Sequence, residues 1–215
     1  MKKSILKLIP GVVMITMFSY TVASQSFEGI IEFKKASATD TTKYIYFVKE
    51  NKVRVDEIGS RSHEVEGTFM VNLDAKTMTS INYKRKLYMD QPSPSDPLIQ
   101  GTCSVQKGQN VKMLQGYKCV DYVVTNNTEG TIITYWLADG QFAFFDKLLH
   151  QLNRKDKASV YFLQIPDVKN MFPMLSVQTD LTGKEISRLE VTKITKRVVD
   201  NAMYDIPKGY KKFEK

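Results

Sequence analysis

The chain has 215 residues, 42% of them hydrophobic and 11% aromatic, and a formal net charge of +8. The length suits one domain with a sizeable core. The cations are spread over several segments without a stripe of interleaved aromatics, which argues against nucleic acid as a partner.

Residues 1–24 read as a signal peptide. Lys2, Lys3 and Lys7 form a basic start, Ile5 to Phe18 an apolar core, and Val22-Ala23-Ser24 a small-residue cut ahead of Gln25. A retained membrane anchor is the alternative, although the apolar run is shorter than the ~20 residues that span a bilayer. No cysteine lies near the cut, so a lipoprotein anchor is not expected. Residues 25–215 then form a single exported domain of the periplasm or cell envelope, with net charge +5.

Period-two alternation dominates the chain beyond the cut. Phe27, Gly29, Ile31 and Phe33 share one face of a first strand, and Thr42 to Lys49 forms a second. Asn51-Lys52 turns into Val53–Ile58, followed by strands at 68–73, 77–83 and 87–90. Three prolines in Gln91–Pro97 predict a surface crossing loop, because proline removes backbone donors. Short strands resume at 113–114, 117–125 and 131–137, with Asn126–Gly130 as a hairpin loop. Asn126 also opens a glycosylation sequon.

Between Gln141 and Arg154, Phe142, Phe145, Leu148, Leu149 and Leu152 recur at helical steps, with Asp139 as the expected N-cap. A second, shorter helix is expected within 167–171, and long strands at 174–180 and 184–199. The pattern as a whole predicts a mainly β (α+β) fold, a curved antiparallel sheet covered by one or two helices.

Little in the chain points to catalysis. Asp146 and His150 share a helical face, but an amphipathic surface helix explains them as well as an acid–base or metal pair does. His63 stands in a polar loop with Glu64 and Glu66. Neither a nucleophile elbow nor a phosphate-binding glycine loop is present. Two cysteines and two distant histidines lack zinc-ligand spacing, so no metal or cofactor is expected. Cys103 and Cys119 are expected to form a disulfide outside the cytosol, two separate buried thiols being the alternative. The basic clusters Lys84-Arg85-Lys86, Lys193/Lys196/Arg197 and Lys208/Lys211/Lys212 read as solvated faces, with a weak attraction to anionic surfaces.

Seven methionines lie beyond residue 24, several in predicted strands. They serve either as core filler or as the lining of an adaptable apolar pocket. A long curved sheet with one good helix leaves a concave apolar face that side chains alone fill poorly. The candidate ligand contacts are Phe142, Phe145 and Leu149 on the helix, and Tyr46, Met78 and Trp136 on the sheet. All six could equally be plain core.

Gln115-Gly-Tyr-Lys-Cys119, Asp121–Val124 and Tyr135–Ala138 occur here in order with Lys52–Val55, Val71–Met78 and Tyr204–Tyr210. In this arrangement the chain resembles a bacterial family known as domain of unknown function 4412. The resemblance implies an exported protein with a fold similar to the periplasmic lipoprotein carriers LolA and LolB, an unclosed half-barrel around an apolar cavity with helices as a lid. It also implies a lipid or lipoprotein acyl chain as a conceivable partner. No ligand-contacting motif of those carriers maps onto these residues. A filled structural or protein-interaction domain of the envelope is the other reading.

Overall fold

A computed structural model of the protein describes residues 26–92, 99–152 and 156–214. The expected signal peptide lies outside them. The strands are β1 Gly29–Ser37, β2 Thr41–Lys49, β3 Lys52–Ile58, β4 Val65–Asn72, β5 Thr77–Asn82 and β6 Leu87–Asp90. They continue with β7 Ser104–Leu114, β8 Tyr117–Asn126, β9 Thr131–Asp139, β10 Met171–Asp180, β11 Glu185–Lys196 and the short β12 Lys211–Lys212. Helices α1 Ala143–Leu152 and α2 Lys157–Phe162 lie between β9 and β10, and a 3-10 turn spans Asn201–Tyr204.

All twelve strands join one sheet in the order β12-β6-β5-β4-β3-β2-β1-β11-β10-β9-β8-β7. Two antiparallel meanders, β1–β6 and β7–β11, are welded where β1 pairs with β11. The terminal strands β7 and β12 do not meet, so the sheet is an unclosed half-barrel, as expected. Tight turns make the meanders possible. Gln115 and Gly116 both have positive φ, 51° and 80°, the geometry of a two-residue turn that matches strand twist.

Each strand presents alternate residues to the helices. Ile31, Phe33, Tyr46, Val48, Val53, Val55 and Val71 are buried on the concave face of the first meander. Ile133, Tyr135 and Leu137 continue that face in β9. α1 lays Phe144, Phe145, Leu148 and Leu149 onto it, and α2 adds Val160, Tyr161 and Phe162.

The opposite face is covered along the first meander by the C-terminal segment, which crosses it as a strap. Lys49 Nζ donates to the Val199 carbonyl at 2.9 Å, and Arg54 Nη1 to that of Met203 at 3.1 Å. Tyr210 packs edge-on against Tyr83, and β12 then pairs parallel with β6. Under the strap lies a polar knot. Asp56, only 3% exposed, accepts from Arg54 Nε at 2.8 Å and Nη2 at 2.9 Å, and from Thr68 Oγ1. Burial opposes the Arg54 charge, yet the Asp56 carboxylate outweighs it and raises the guanidinium pKa.

Four expectations are corrected. The disulfide is not formed, since both thiols are free. β7–β8 pairing places Ser104 opposite Thr125 and Lys112 opposite Cys119. Cys103 therefore sits by Asn126, seven residues along β8 from Cys119, or about 23 Å at ~3.3 Å per residue. A bridge needs Cα atoms within about 7 Å. The second helix is α2, capped by Asp156, not a helix within 167–171; Met171 already starts β10. Asp139 ends β9 and does not cap α1. Finally, β7 starts at Ser104, well before the expected residue 113.

Candidate functional site

The place where the helices meet the concave face is the candidate site. Phe33, Tyr44 and Tyr46 from β1 and β2, Phe145 and Leu149 from α1, and Phe172 from β10 surround a cavity of about 30 Å³. Phe145 is the hub, its ring centroid 4.5 Å from Phe172 and 5.1 Å from Phe162. Three of the six candidate contacts, Tyr46, Phe145 and Leu149, thus converge here. The space holds about one water, far below the ~300 Å³ of a ligand pocket.

The other three lie apart. Phe142 belongs to a neighbouring aromatic cluster, 5.4 Å from Phe27, 5.4 Å from Tyr117 and 5.3 Å from Phe172. It fixes the entry to α1. Trp136 alternates with Tyr135 and so faces away from the helices, opposite Asp121 and beneath the Lys112 ammonium at 4.0 Å. Met78 is half-buried on β5 opposite Val71.

The two helices are held by different physics. α2 is tied by part-buried polar bonds. Tyr135 donates to the Ala158 carbonyl at 2.7 Å, and the Tyr161 hydroxyl donates to Glu129 Oε2. Lys157 Nζ reaches Glu129 Oε2 at 3.2 Å and Thr131 Oγ1 at 2.9 Å. The Tyr161 hydrogen bond holds the Glu129 carboxyl below its ordinary pKa, helped by the Gln100 amide and Lys157. Burial, then Glu129, pushes the Tyr161 phenol well above its usual range. Among the described residues, the single polar link from α1 to the sheet is Lys147 to Asp74 at 3.8 Å, between exposed side chains. Apolar contact holds α1.

Sequence reasoning missed the Glu129 cluster. Its members are about 30 positions apart, and the one local signal is Asp156 three residues before Ser159, which it caps at 3.2 Å. Asn126 is fully buried in the same cluster and donates to the Gln100 carbonyl at 2.8 Å, so the folded chain does not present the sequon to a glycosylating enzyme.

The catalytic alternatives gain nothing from the geometry. His150 Nδ1 lies 3.2 Å from the Asp146 main-chain carbonyl, not its carboxylate. Both face an open cleft of about 560 Å³ between α1 and the β4–β5 turn. Burial raises the Cys103 and Cys119 pKa values, which disfavours thiolates. His63, with a positive φ of 55°, sits in the β3–β4 loop.

Fold and site together define a helix-covered, unclosed β half-barrel. The chain belongs to the family described as domain of unknown function (DUF4412), whose model matches residues 27–210. An uncharacterized conserved protein from Thermus thermophilus shares the fold at 12% identity and TM-score 0.52, over 88% of this chain and 90% of that one. Looser similarity reaches a putative outer membrane lipoprotein-sorting protein domain from Vibrio parahaemolyticus, at 7% identity and TM-score 0.35, covering 82% of this chain and 88% of that one. It also reaches the MucA/MucB complex of Pseudomonas aeruginosa, at 10% identity and TM-score 0.46, covering 84% and 55%. The comparison with curated proteins gives no match.

Proposed function

We propose that the protein is an exported, non-enzymatic binding protein of the cell envelope that takes an apolar ligand, such as a lipid acyl chain, between α1 and the concave face. The unequal attachment of the two helices carries this reading. Among the described residues, α2 is fixed by hydrogen bonds of the buried Tyr135 and Tyr161, whereas the polar link from α1 to the sheet is an ion pair between exposed side chains. Its four buried side chains are worth roughly 1.5–3 kcal/mol each, about 6–12 in all. An acyl chain of about fourteen carbons, at roughly 0.8 kcal/mol per CH2, returns a similar amount. Exchange of the α1 face for a ligand is therefore close to balanced. Tyr46, Phe145 and Leu149 are the contacts proposed for the opened site, with Met78 at its margin.

The near absence of free space favours a second reading, an envelope interaction domain with a permanently filled core. Lipid extraction of protein purified from envelope fractions, followed by mass spectrometry and titration with a fluorescent fatty acid, separates the two. A stoichiometric lipid or saturable binding supports the carrier. Protein that is lipid-free and does not bind the probe leaves the filled domain.

A further inference from the structure

Two basic segments far apart in sequence meet at one margin of the sheet. The β5–β6 turn carries Lys84, Arg85 and Lys86, all exposed. The end of the strap carries Lys208, Lys211 and Lys212, also exposed. The Lys211 amide donates to the Lys86 carbonyl at 3.0 Å, and the Phe213 amide to that of Tyr88 at 2.8 Å. Among the described residues one of these six cations is in an ion pair, Lys212 with Asp90 at 2.8 Å. Phe213 stands beside them, 49% exposed. It borders a cleft of about 360 Å³ that Arg85, Leu87 and Met89 also line, with Glu66 as the one acidic residue of that lining.

Lysines at a sheet margin also discourage edge-to-edge pairing. That role does not call for an exposed phenylalanine among them. Cations around an exposed aromatic match an anionic interface with an apolar layer beneath it.

We propose that the face formed by Lys84, Arg85, Lys86, Lys208, Lys211 and Phe213 docks the protein on an anionic lipid surface. The cations meet lipid phosphates, and Phe213 enters the acyl boundary. The polar knot at Arg54 and the Tyr83–Tyr210 contact hold the strap in place, and the Lys211–Lys86 backbone bond keeps the two clusters side by side. This surface is distinct from the cavity under α1, and docking does not depend on a ligand being held there.

Co-sedimentation with vesicles of phosphatidylglycerol and phosphatidylcholine, against phosphatidylcholine alone, tests it at low and high salt. The exported chain expected after cleavage, residues 25–215, is used throughout, since the apolar run Ile5 to Phe18 would itself partition into neutral vesicles. Binding is expected on the anionic vesicles only and weakens with salt. Each cation near such a surface is worth roughly fivefold, so Lys84→Gln, Arg85→Gln and Lys86→Gln together lose about a hundredfold. Phe213→Ser weakens binding without changing its salt dependence. A control triple, Lys118→Gln, Lys169→Gln and Lys184→Gln, removes the same charge elsewhere and keeps most of the binding. An unchanged urea midpoint verifies the fold of each variant. Equal loss in the two triples, equal binding to neutral vesicles, or retention by DNA or an acidic protein without vesicle binding would each overturn the proposal.

Discussion

Asp56→Asn is the sharpest test of how the strap is held. The substitution keeps the shape of the side chain and removes its charge. In the folded protein the pair is nearly dry, with the Arg54 and Asp56 side chains 15% and 5% exposed. Breaking one partner of a buried pair leaves an uncompensated charge and costs about 3–5 kcal/mol. With a urea slope of about 2 kcal/mol per molar, the unfolding midpoint should fall by roughly 2 M. Replacing both partners, Arg54→Leu with Asp56→Val, removes more hydrogen bonds yet leaves no orphaned charge. Thr68 and Tyr83 can still bond each other, their hydroxyl oxygens being 3.1 Å apart. The double variant then loses chiefly the charged bond to the Met203 carbonyl, about 1.5–3 kcal/mol. Amide exchange across 199–213 should quicken in the double variant. A single substitution costing under about 1 kcal/mol, or a double costing twice the single, would refute the reasoning.

Further outcomes follow from the two helices and the thiols. Because Glu129 has a depressed pKa when folded, its contribution is present above its unfolded value of about 4.3 and is lost as pH falls through the folded one. Glu129→Gln should lower stability at neutral pH by about 1.5–3 kcal/mol and flatten the acid limb of the stability curve; an unchanged acid limb in urea titrations would contradict the assignment. Hydrogen exchange should open α1 before α2 and before β9, since among the described residues the polar link of α1 to the sheet is an ion pair between exposed side chains; equal protection would count against α1 as the moving cover. Thiol titration should find two cysteines that react slowly when folded and fully in denaturant, with no change of mobility on a non-reducing gel.

Much of the fold was legible because alternation survives wherever one face is buried. In β1, Ile31 and Phe33 are nearly inaccessible while Glu32 points outward to Lys193. The signal fails where burial fails. β7 pairs on one side only, and its stretch Gln106-Lys-Gly-Gln-Asn110 has no apolar residue to mark a face. Asn110 there bonds the Asp121 carboxylate through its amide and side chain at 3.0 and 2.8 Å. Gly108 lies so close to that carboxylate that a Cβ would collide with it, a close approach only glycine permits. α2 was missed for the opposite reason. At six residues, with Val160, Tyr161 and Phe162 consecutive and all buried, it is too short to show a helical period. The cysteines mislead because closeness in sequence says nothing about register: a sixteen-residue separation straddling a hairpin turn can be close or, as here, remote.

The candidate site was legible to the same degree and for the same reason. Helical spacing identified Phe145 and Leu149, and strand alternation identified Tyr46; these three meet. Phe142 shares the helical spacing but precedes the first residue of α1, and its ring is locked among Phe27, Tyr117 and Phe172. Periodicity reports that a residue is buried, not whether its burial can be reversed. That second property depends on what else holds the element down, and here it comes from Glu129. A carboxylate in the β8–β9 loop takes Tyr161 and Lys157 from α2, whereas the carboxylate that reaches α1 among the described residues, Asp74, pairs with Lys147 between exposed side chains. Removing α2 would strand a buried tyrosine hydroxyl and a carboxylate. Removing α1 breaks, among the described residues, one ion pair between exposed side chains and uncovers a largely apolar face, which an apolar ligand can cover again. If the half-barrel opens for a ligand, it opens at α1.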